Sequence, residues 1–128
     1  MTNAPYRILV TGSRTWTDAG AIETALAKAV ENIPADRDIT IVHGDCPRGA
    51  DALADHWARK YGATIERHPA NWRPNGVLDR SAGYRRNTEM ALSGIDLCLA
   101  FIRNVSAGAT HCAATAERAG IPVRRFTA

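Results

Sequence analysis

The segment at residues 39–51 (ITIVHGDCPRGAD) combines residue types and a spacing that could bind an anion. Its first residues are mostly β-branched and predict a buried strand, which ends at Gly44, where glycine allows the chain to turn. From Ala50 onward the apolar residues recur at helical spacing, which predicts a helix that begins beside Gly49. A strand, a glycine turn and a helix N-terminus direct several N–H groups and a partial positive charge at one point, a geometry that suits a phosphate.

The spacing of Gly44 and Gly49 is that of a P-loop, but the next two residues are Ala50 and Asp51 rather than Lys and Ser or Thr. The segment therefore lacks the ammonium group that contacts the β and γ phosphates and the hydroxyl group that binds magnesium. This departure argues against an NTPase. Two interpretations stay open: a ligand site that includes Asp45, Gly49 and Asp51, or a plain turn in which Asp51 offsets the helix dipole.

Glycine, hydroxyl and guanidinium groups also follow other predicted strands. We expect the backbone N–H groups of Gly12, Ser13 and Gly44 to contact phosphate or ribose, as the first βα turns of Rossmann-like sheets do. The guanidinium groups of Arg14 and Arg86 would neutralise phosphate through paired hydrogen bonds. The alternative for each arginine is a solvated or ion-paired surface group.

Three further side-chain or backbone positions complete the predicted ligand site. Asp51 would accept a hydrogen bond from a ribose hydroxyl, and Gly108 and Thr110 would bind a second phosphate or the sugar. Trp16 could stack on a base, although an aromatic residue in a turn is as often a packing residue.

The composition predicts one globular domain over residues 1–128, with 45% hydrophobic and 23% charged residues. No apolar run approaches the ~20 residues of a membrane span, and the first residues lack the apolar segment of a signal peptide, so we expect a cytoplasmic location. The net charge is a modest +3. Lys28 and Lys60 are the only lysines among 16 basic residues, so the rest are arginine, which favours phosphate and carboxylate contacts.

The cysteines and histidines do not indicate a metal or redox site. Cys46, Cys98 and Cys112 form no C-x-x-C pair. Cys98 is expected in a core strand, and Cys46 in a turn near a helix start, where a thiol pKa tends to fall but no base is evident. His43, His68 and His111 lack metal-ligand spacing. We therefore expect neither a metal nor a cofactor.

Hydrophobic patterning predicts five strands and four helices in alternation. The predicted strands cover residues 7–11, 38–43, 64–68, 95–101 and 121–126. The predicted helices begin after Asp18 and at Ala50, Arg85 and Ala109. Right-handed crossovers favour an α/β, three-layer Rossmann-like sandwich with a five-stranded, mainly parallel sheet of order 3-2-1-4-5. Ligands of such sheets bind where the strand order reverses, here between strands 1 and 4.

A long irregular stretch at residues 69–84 leads into the third predicted helix. It contains Trp72, Arg73 and Arg80 together with several prolines and glycines. Loops of this length in a small domain are usually functional or disordered, and Trp72 favours some packing.

Four motifs resemble the YspA-type, cpYpsA-related branch of the SLOG superfamily. They lie at residues 10–18 (VTGSRTWTD), 43–51 (HGDCPRGAD), 86–90 (RNTEM) and 106–110 (SAGAT). The resemblance implies a Rossmann-like fold that binds a nucleotide or nucleotide-derived ligand. The superfamily includes cytokinin-activating phosphoribohydrolases, the DNA-processing protein that loads single strands, and ligand sensors of bacterial conflict systems. The resemblance also implies a homodimer in which the two copies pair through helices.

The phosphoribohydrolase relatives suggest roles for particular residues. Their motif Arg-Lys-x-x-Met is similar to the segment that contains Arg86 and Asn87, so Arg86 matches their active-site arginine and Asn87 replaces their lysine. Thr110 matches the threonine of their glycine-rich motif, but Ala113 occupies the place of their catalytic glutamate. Glycosidic cleavage needs a nearby carboxylate. Three acidic residues could substitute: Glu89, Asp45 and Asp51. Arg86 and Glu89 form the candidate catalytic pair.

Three functions follow from these residues. The first is a module that binds a nucleotide-like small molecule, as a sensor or a sequestering protein. The second is an enzyme that cleaves the N-glycosidic bond of a nucleotide, a route that Ala113 argues against. The third, binding of single-stranded nucleic acid, needs a basic groove with aromatic residues, and the charge of +3 with few aromatic residues disfavours it.

Overall fold

Five parallel strands and four helices alternate in the computed structural model, which describes residues 4–128. The strands are β1 Tyr6–Gly12, β2 Ile39–His43, β3 Thr64–Arg67, β4 Leu97–Ile102 and β5 Val123–Thr127. The helices are α1 Ala19–Val30, α2 Ala50–Tyr61, α3 Ala82–Ala91 and α4 Ala107–Arg118. The strand order β3-β2-β1-β4-β5 confirms the predicted Rossmann-like α/β sheet.

Helices cover both faces of the sheet, which explains the continuous apolar character of its central strands. Ile8 and Val10 point to the side of α1 and α2, where Leu26 is fully buried with them. Leu9 points to the opposite side and packs with Met90 of α3. Successive residues of β1 are therefore buried on opposite faces, and no polar alternation is left in the strand.

Small residues allow α4 to lie close to β4, as its sequence predicts. Four residues of its inner face are buried: Ala109, Cys112, Ala113 and Ala116. Ala113 is fully buried and belongs to a cluster with Ala100 of β4. Ala113, which the resemblance aligns with the catalytic glutamate of phosphoribohydrolases, therefore faces the sheet.

Several predicted boundaries differ from the structure by one to three residues. Helix α3 begins at Ala82 rather than at Arg85, because Asp79 accepts hydrogen bonds from the N–H and the hydroxyl of Ser81 and so orders the chain before the helix. Strand β5 runs to Thr127, one residue beyond the predicted end, and begins at Val123 rather than at residue 121. The ring of Phe126 stacks on Phe101 at a centroid distance of 4.8 Å, which holds this edge strand against β4.

The long stretch between β3 and α3 contains a short 3₁₀ turn at Pro74–Gly76. The N–H of Asp79 donates to the carbonyl of Trp72 at 2.7 Å, which closes this stretch into a loop. No helix within the described residues 4–128 is long and apolar enough to cross a membrane.

Candidate functional site

A pocket of about 410 Å³ lies at the carboxyl ends of β1, β2 and β4, where the strand order reverses. This is the position expected for a ligand site in an open α/β sheet, and the volume lies within the usual range for small-molecule sites. Its walls come from the turn after β1, the turn after β2, the long loop, α3 and the start of α4. The charged and aromatic side chains in these walls are Arg14, Asp51, Trp72, Arg80, Tyr84, Arg86 and Arg103.

The structure brings most of the predicted ligand-binding residues to this pocket. Those that line it are Gly12, Ser13, Arg14, Gly44, Asp51, Arg86, Asn87 and Gly108. Four other candidates do not line it: Asp45, Gly49, Glu89 and Thr110. For Asp45 and Gly49 the separation follows from local geometry that sequence spacing does not specify, whereas helix periodicity accounts for Glu89 and Thr110.

Each residue outside the pocket has an identifiable reason for its position. Asp45 is exposed and has a positive φ of 59°, so that its carboxylate lies on the side of Arg67. Glu89 is exposed on α3, and Thr110 is exposed on α4, two residues beyond Gly108 and so on another side of the helix. Gly49 lies behind the wall of the pocket.

Gly49 and Gly12 are glycines because the first two turns pack against each other. A Cβ on Gly49, which has a φ of 80°, would collide with the backbone of Ser13 and Arg14. A Cβ on Gly12 would collide with the side chain of Ala50 and lie 2.7 Å from the carbonyl oxygen of Phe101. Their role is the close approach of α2 to β1.

Two of the three N–H groups expected to contact a ligand donate within the protein instead. The N–H of Ser13 donates to the carbonyl of Phe101 at 2.9 Å, and the N–H of Gly44 donates to Oδ2 of Asp51 at 3.1 Å. These two N–H groups are therefore already engaged in the conformation described, and a ligand contact by Ser13 and Gly44 stays a prediction. The side chain of Ser13 instead joins β1 to the loop after β4, since its hydroxyl accepts from the N–H of Arg103 at 2.8 Å.

Helix α4 supplies N–H groups at the same pocket. Ser106 is its N-cap residue and makes no capping hydrogen bond through its side chain, and Ser106, Gly108 and Ala109 all line the cavity. An added Cβ on Gly108 would meet no atom within 4 Å, so this glycine borders open space. The N-terminal turn of α4 therefore places its partial positive charge at the cavity.

Arg86 connects the parts of the site. Its Nη1 donates to the carbonyl of Gly44 at 2.6 Å and to that of His68 at 3.1 Å, and its Nε donates to Oδ1 of Asn87 at 2.9 Å. A Cβ on Gly44 would lie 2.6 Å from Nη1, so glycine is required for the guanidinium group to lie over the turn. The Nδ2 group of Asn87, which is 5% exposed, donates to the carbonyl of Gly108 at 3.2 Å and so ties α3 to α4.

Positive charge dominates the pocket walls. Arg14, Arg80, Arg86 and Arg103 all line the cavity, and Asp51 is the one acidic residue among the lining residues described. The side chain of Arg103 is fixed by a hydrogen bond from Nη1 to the carbonyl of Thr15 at 2.9 Å. A cavity with this excess of guanidinium groups attracts an anion.

Asp51 is buried at the floor of the pocket with 5% of its surface exposed. Its Oδ2 accepts from the N–H groups of Gly44 at 3.1 Å and Cys46 at 3.3 Å. Burial raises the pKa of this carboxyl group, while His43, the N–H and thiol of Cys46, and the charge of Arg86 act in the opposite direction. Burial and the negative charge of Asp51 both raise the pKa of the Cys46 thiol. The fall in this pKa that is expected near a helix start is therefore not found.

The aromatic residues of the pocket are not the ones that sequence spacing indicated. Trp16 is 4% exposed, packs edge-on against Phe101 and donates from Nε1 to the carbonyl of Asp18, so it is a core residue and not a base-stacking residue. Trp72 and Tyr84 line the pocket instead. The sequence signal for them was the long loop with its aromatic and arginine residues, but no periodicity fixes side-chain directions in a loop.

Two of the three histidines considered above have hydrogen-bond partners within the protein, whereas the buried Nδ1 of His111 has none among the described residues. The Nδ1 atom of His43 accepts from the N–H of Asp45 at 2.9 Å, so its Nε2–H donates to Asp55 at 2.7 Å. His68 contacts Glu66 at 2.7 Å. Within residues 4–128 no group of three or more His, Cys, Asp and Glu side chains is arranged to hold a metal ion.

Comparisons with known proteins give three matches. The model of a family described as "YspA, cpYpsA-related SLOG family" matches residues 6–74. The Gene 61 protein of Mycobacterium phage D29 is 42% identical over 125 residues, which are 94% of this chain and 95% of that protein. The crystal structure of the C-terminal domain of a hydrogenase from Pyrococcus furiosus has a TM-score of 0.45 and 23% identity, and covers 98% of this chain and 97% of that one.

Proposed function

Because the chain belongs to the YspA, cpYpsA-related SLOG family, we propose that its pocket binds a nucleotide or a nucleotide-derived small molecule. Such a protein would act as a sensor or would sequester the ligand. The excess of arginine around the cavity supports the proposal most directly, since four arginines and one buried carboxylate line it.

The phosphate is assigned to the region between Arg86 and the first turn of α4. Nη1 and Nε of Arg86 are engaged with the protein, and its Nη2 makes no hydrogen bond within residues 4–128. The N-terminal turn of α4 lines the same cavity through Ser106 and Gly108. A phosphate held there would receive charge-assisted hydrogen bonds from a guanidinium group that is already fixed in place.

We assign the ribose of the ligand to the part of the pocket beside Asp51. Oδ2 of Asp51 is occupied by two backbone N–H groups, and the Cys46 thiol also contacts this carboxylate, but its Oδ1 accepts from no N–H group in the part of the chain that the structure describes. That oxygen can accept from a ribose hydroxyl, the role that an acidic residue takes in dinucleotide-binding sheets.

Binding without cleavage is favoured by the environment of Ala113. This residue is fully buried against β4, so the helix face that carries the glutamate in phosphoribohydrolase relatives cannot present a carboxylate to the pocket. Glu89 and Asp45, which could have replaced that glutamate, do not line the cavity.

Cleavage of an N-glycosidic bond is the second candidate, and Asp51 is the observation that favours it. Asp51 is buried in the pocket, and an oxocarbenium-like transition state is stabilised by a nearby carboxylate. In this alternative Asp51 replaces Glu89 as the partner of Arg86. Single-stranded nucleic acid stays the third hypothesis, and the homodimer and cytoplasmic location stay predictions.

The test measures binding and turnover in one set of variants. AMP, ADP, NAD and inorganic phosphate are titrated into the wild-type protein and Arg86→Ala, and released base is measured by chromatography. We expect AMP to bind, and Arg86→Ala to weaken that binding by about 10- to 100-fold, the effect of removing a charged hydrogen-bond donor. Arg86→Lys, which keeps the charge but not the paired donors, should recover only part of the loss.

Arg124→Ala, an exposed arginine on β5 outside the pocket, serves as the matched control and should bind as the wild type does. Thermal unfolding of each variant separates a lost fold from a lost contact. Release of base that disappears in Asp51→Asn would favour the enzyme over the binding module. Failure of all four compounds to bind would refute the proposal.

A further inference from the structure

Trp72 occupies a position at the pocket that burial alone does not explain. Its side chain lines the cavity, yet 40% of its surface is exposed. A tryptophan that merely filled the core would be largely buried, as Trp16 and Trp57 are at 4% and 6%. The exposed part of the Trp72 ring is available to a bound molecule.

The position of the Trp72 ring is fixed by its neighbours. The ring edge packs on Gly83 in the first turn of α3, where an added Cβ would lie 2.9 Å from Cη2 of the tryptophan. The backbone of Trp72 is held by the hydrogen bond from Asp79 at 2.7 Å, and Asp79 in turn accepts from Ser81 at 3.0 Å. The ring is therefore held by the chain that leads into α3, without being buried.

Arg14 lies opposite the ring of Trp72. The central carbon of its guanidinium group is 5.9 Å from the ring centroid. Arg14 is exposed and makes no hydrogen bond or ion pair among the described residues, so its side chain can withdraw. A planar ring between two flat groups needs two van der Waals separations of about 3.5 Å, or about 7 Å in all, which a shift of roughly an ångström by Arg14 would provide.

Tyr84, the other aromatic residue of the pocket, is less suited to this role. Its ring packs edge-on against His111 at a centroid distance of 4.6 Å. Trp72 also has the larger π surface, and a tryptophan beside an arginine can contact a base from both sides.

We propose that Trp72 and Arg14 form a stacking site for a nucleobase, so that the ligand is a base-bearing nucleotide and not a sugar phosphate. The inference rests on the proposed function, because the phosphate and sugar of the same ligand would lie at Arg86 and Asp51. Stacking accepts any base, so the site selects for the presence of a base and leaves its identity to other contacts.

The experiment compares two ligands that differ only by the base. AMP and ribose 5-phosphate are titrated into the wild-type protein, Trp72→Ala and Trp72→Phe. We expect the wild type to bind AMP more tightly, and Trp72→Ala to lose about 5- to 150-fold in AMP affinity, the usual effect of removing a stacking side chain. Its affinity for ribose 5-phosphate should not change, and Trp72→Phe should keep most of the affinity for AMP.

Tryptophan fluorescence gives a second readout, because Trp16 and Trp57 are buried and Trp72 is the exposed tryptophan. AMP should quench the wild type and not Trp72→Phe. Tyr61→Ala, which removes a 60% exposed aromatic side chain outside the pocket, is the control and should bind AMP as the wild type does.

Equal affinity of the wild type for AMP and ribose 5-phosphate would overturn the stacking site and leave the proposed function intact. An equal loss for both ligands in Trp72→Ala would also overturn it, since the tryptophan would then only support the loop. Binding of neither ligand would overturn the stacking site, and if ADP, NAD and inorganic phosphate also failed to bind, it would overturn the proposed function as well.

Discussion

Asp51 and Asp55 lie one turn apart on α2, and both are buried, yet their surroundings act on them in opposite ways. Burial dominates at Asp51 and raises its pKa. Burial also opposes ionisation of Asp55, but hydrogen bonds from Arg67 and His43 outweigh it and lower its pKa to about 2. The same chemical group is thus a floor residue of the pocket at one position and the centre of an ion-pair network at the other.

The partners of the two carboxylates explain this difference. Both oxygens of Asp55 accept from side chains, namely from His43, Arg59 and Arg67. Asp51 accepts from backbone N–H groups through one oxygen, and no N–H group within residues 4–128 donates to the other. A saturated carboxylate stabilises the fold, whereas a carboxylate with an unused oxygen in a cavity can bind a ligand.

The largest expected effect is the loss of stability in Asp55→Asn. The substitution removes the negative charge that His43 and two arginines contact. The side-chain NH2 group of the new asparagine is also a hydrogen-bond donor, and it would face an N–H donor of one of these partners. We expect the free energy of unfolding to fall by about 2 kcal/mol, the usual contribution of hydrogen bonds to a charged group. Urea denaturation at pH 7 measures the change.

Asp51→Asn is the matched control for this measurement, since an amide oxygen can still accept from the Gly44 and Cys46 N–H groups. It should lose less stability than Asp55→Asn at pH 7. If Asp51→Asn lost as much unfolding free energy as Asp55→Asn, both carboxylates would be structural, and the proposed difference between a ligand-binding and a stabilising carboxylate would be refuted.

The second prediction concerns how pH affects the two variants. The pKa of Asp55 is lower in the folded protein than its ordinary value of 3.8, so its contribution is present above about pH 4 and is lost as pH falls towards 2. The difference in unfolding free energy between the wild type and Asp55→Asn should therefore disappear as pH falls from about 4 towards 2.

The pKa of Asp51 is raised, so its contribution to stability is present below its ordinary value of 3.8 and is lost as pH rises through its folded pKa. The free energy of unfolding of Asp51→Asn should consequently increase relative to that of the wild type as pH rises above about 4. Unfolding free energies measured between pH 2 and 7 test both signs, and slopes of the same sign for the two variants would contradict the prediction.

The smallest expected effect is that of Arg59→Ala. Arg59 donates to Asp55 at 2.9 Å across one turn of α2, but 63% of its side chain is exposed. Exposed pairs at this spacing contribute about 0.3–0.5 kcal/mol, and Asp55 keeps its bonds to His43 and Arg67. A loss comparable to that of Asp55→Asn would mean that the network depends on Arg59 more than its exposure indicates.

Local patterning was sufficient to predict the sheet and to bring most of the candidate site residues to its edge. The runs around Val10 and Leu99 are apolar because helices cover both faces of the sheet, and right-handed crossovers then leave few possible strand orders. The exclusion of Glu89 from the pocket was also within reach of the sequence. Arg86, Asn87 and Met90 share one side of a helix, and Glu89 lies on another side of the same helix.

The partners of Gly49, Asp45 and Trp72 could not be predicted in this way. Gly49 packs against the backbone of Ser13, and the ring of Trp72 packs against Gly83, although neither contact follows from helix or strand periodicity. The direction of Asp45 depends on a positive φ and on the hydrogen bond from its N–H to His43. Contacts between loops depend on how the elements pack, and spacing along the chain does not encode them.

The sequence by itself therefore determined the order of the strands, the family and the edge of the sheet at which a ligand should bind, because apolar periodicity and glycine turns act locally. Only the tertiary structure decided which N–H groups are already used, which carboxylate keeps a free oxygen, and which aromatic ring borders the cavity. The physical reason is that a polar group is available to a ligand only when no other part of the folded chain satisfies it.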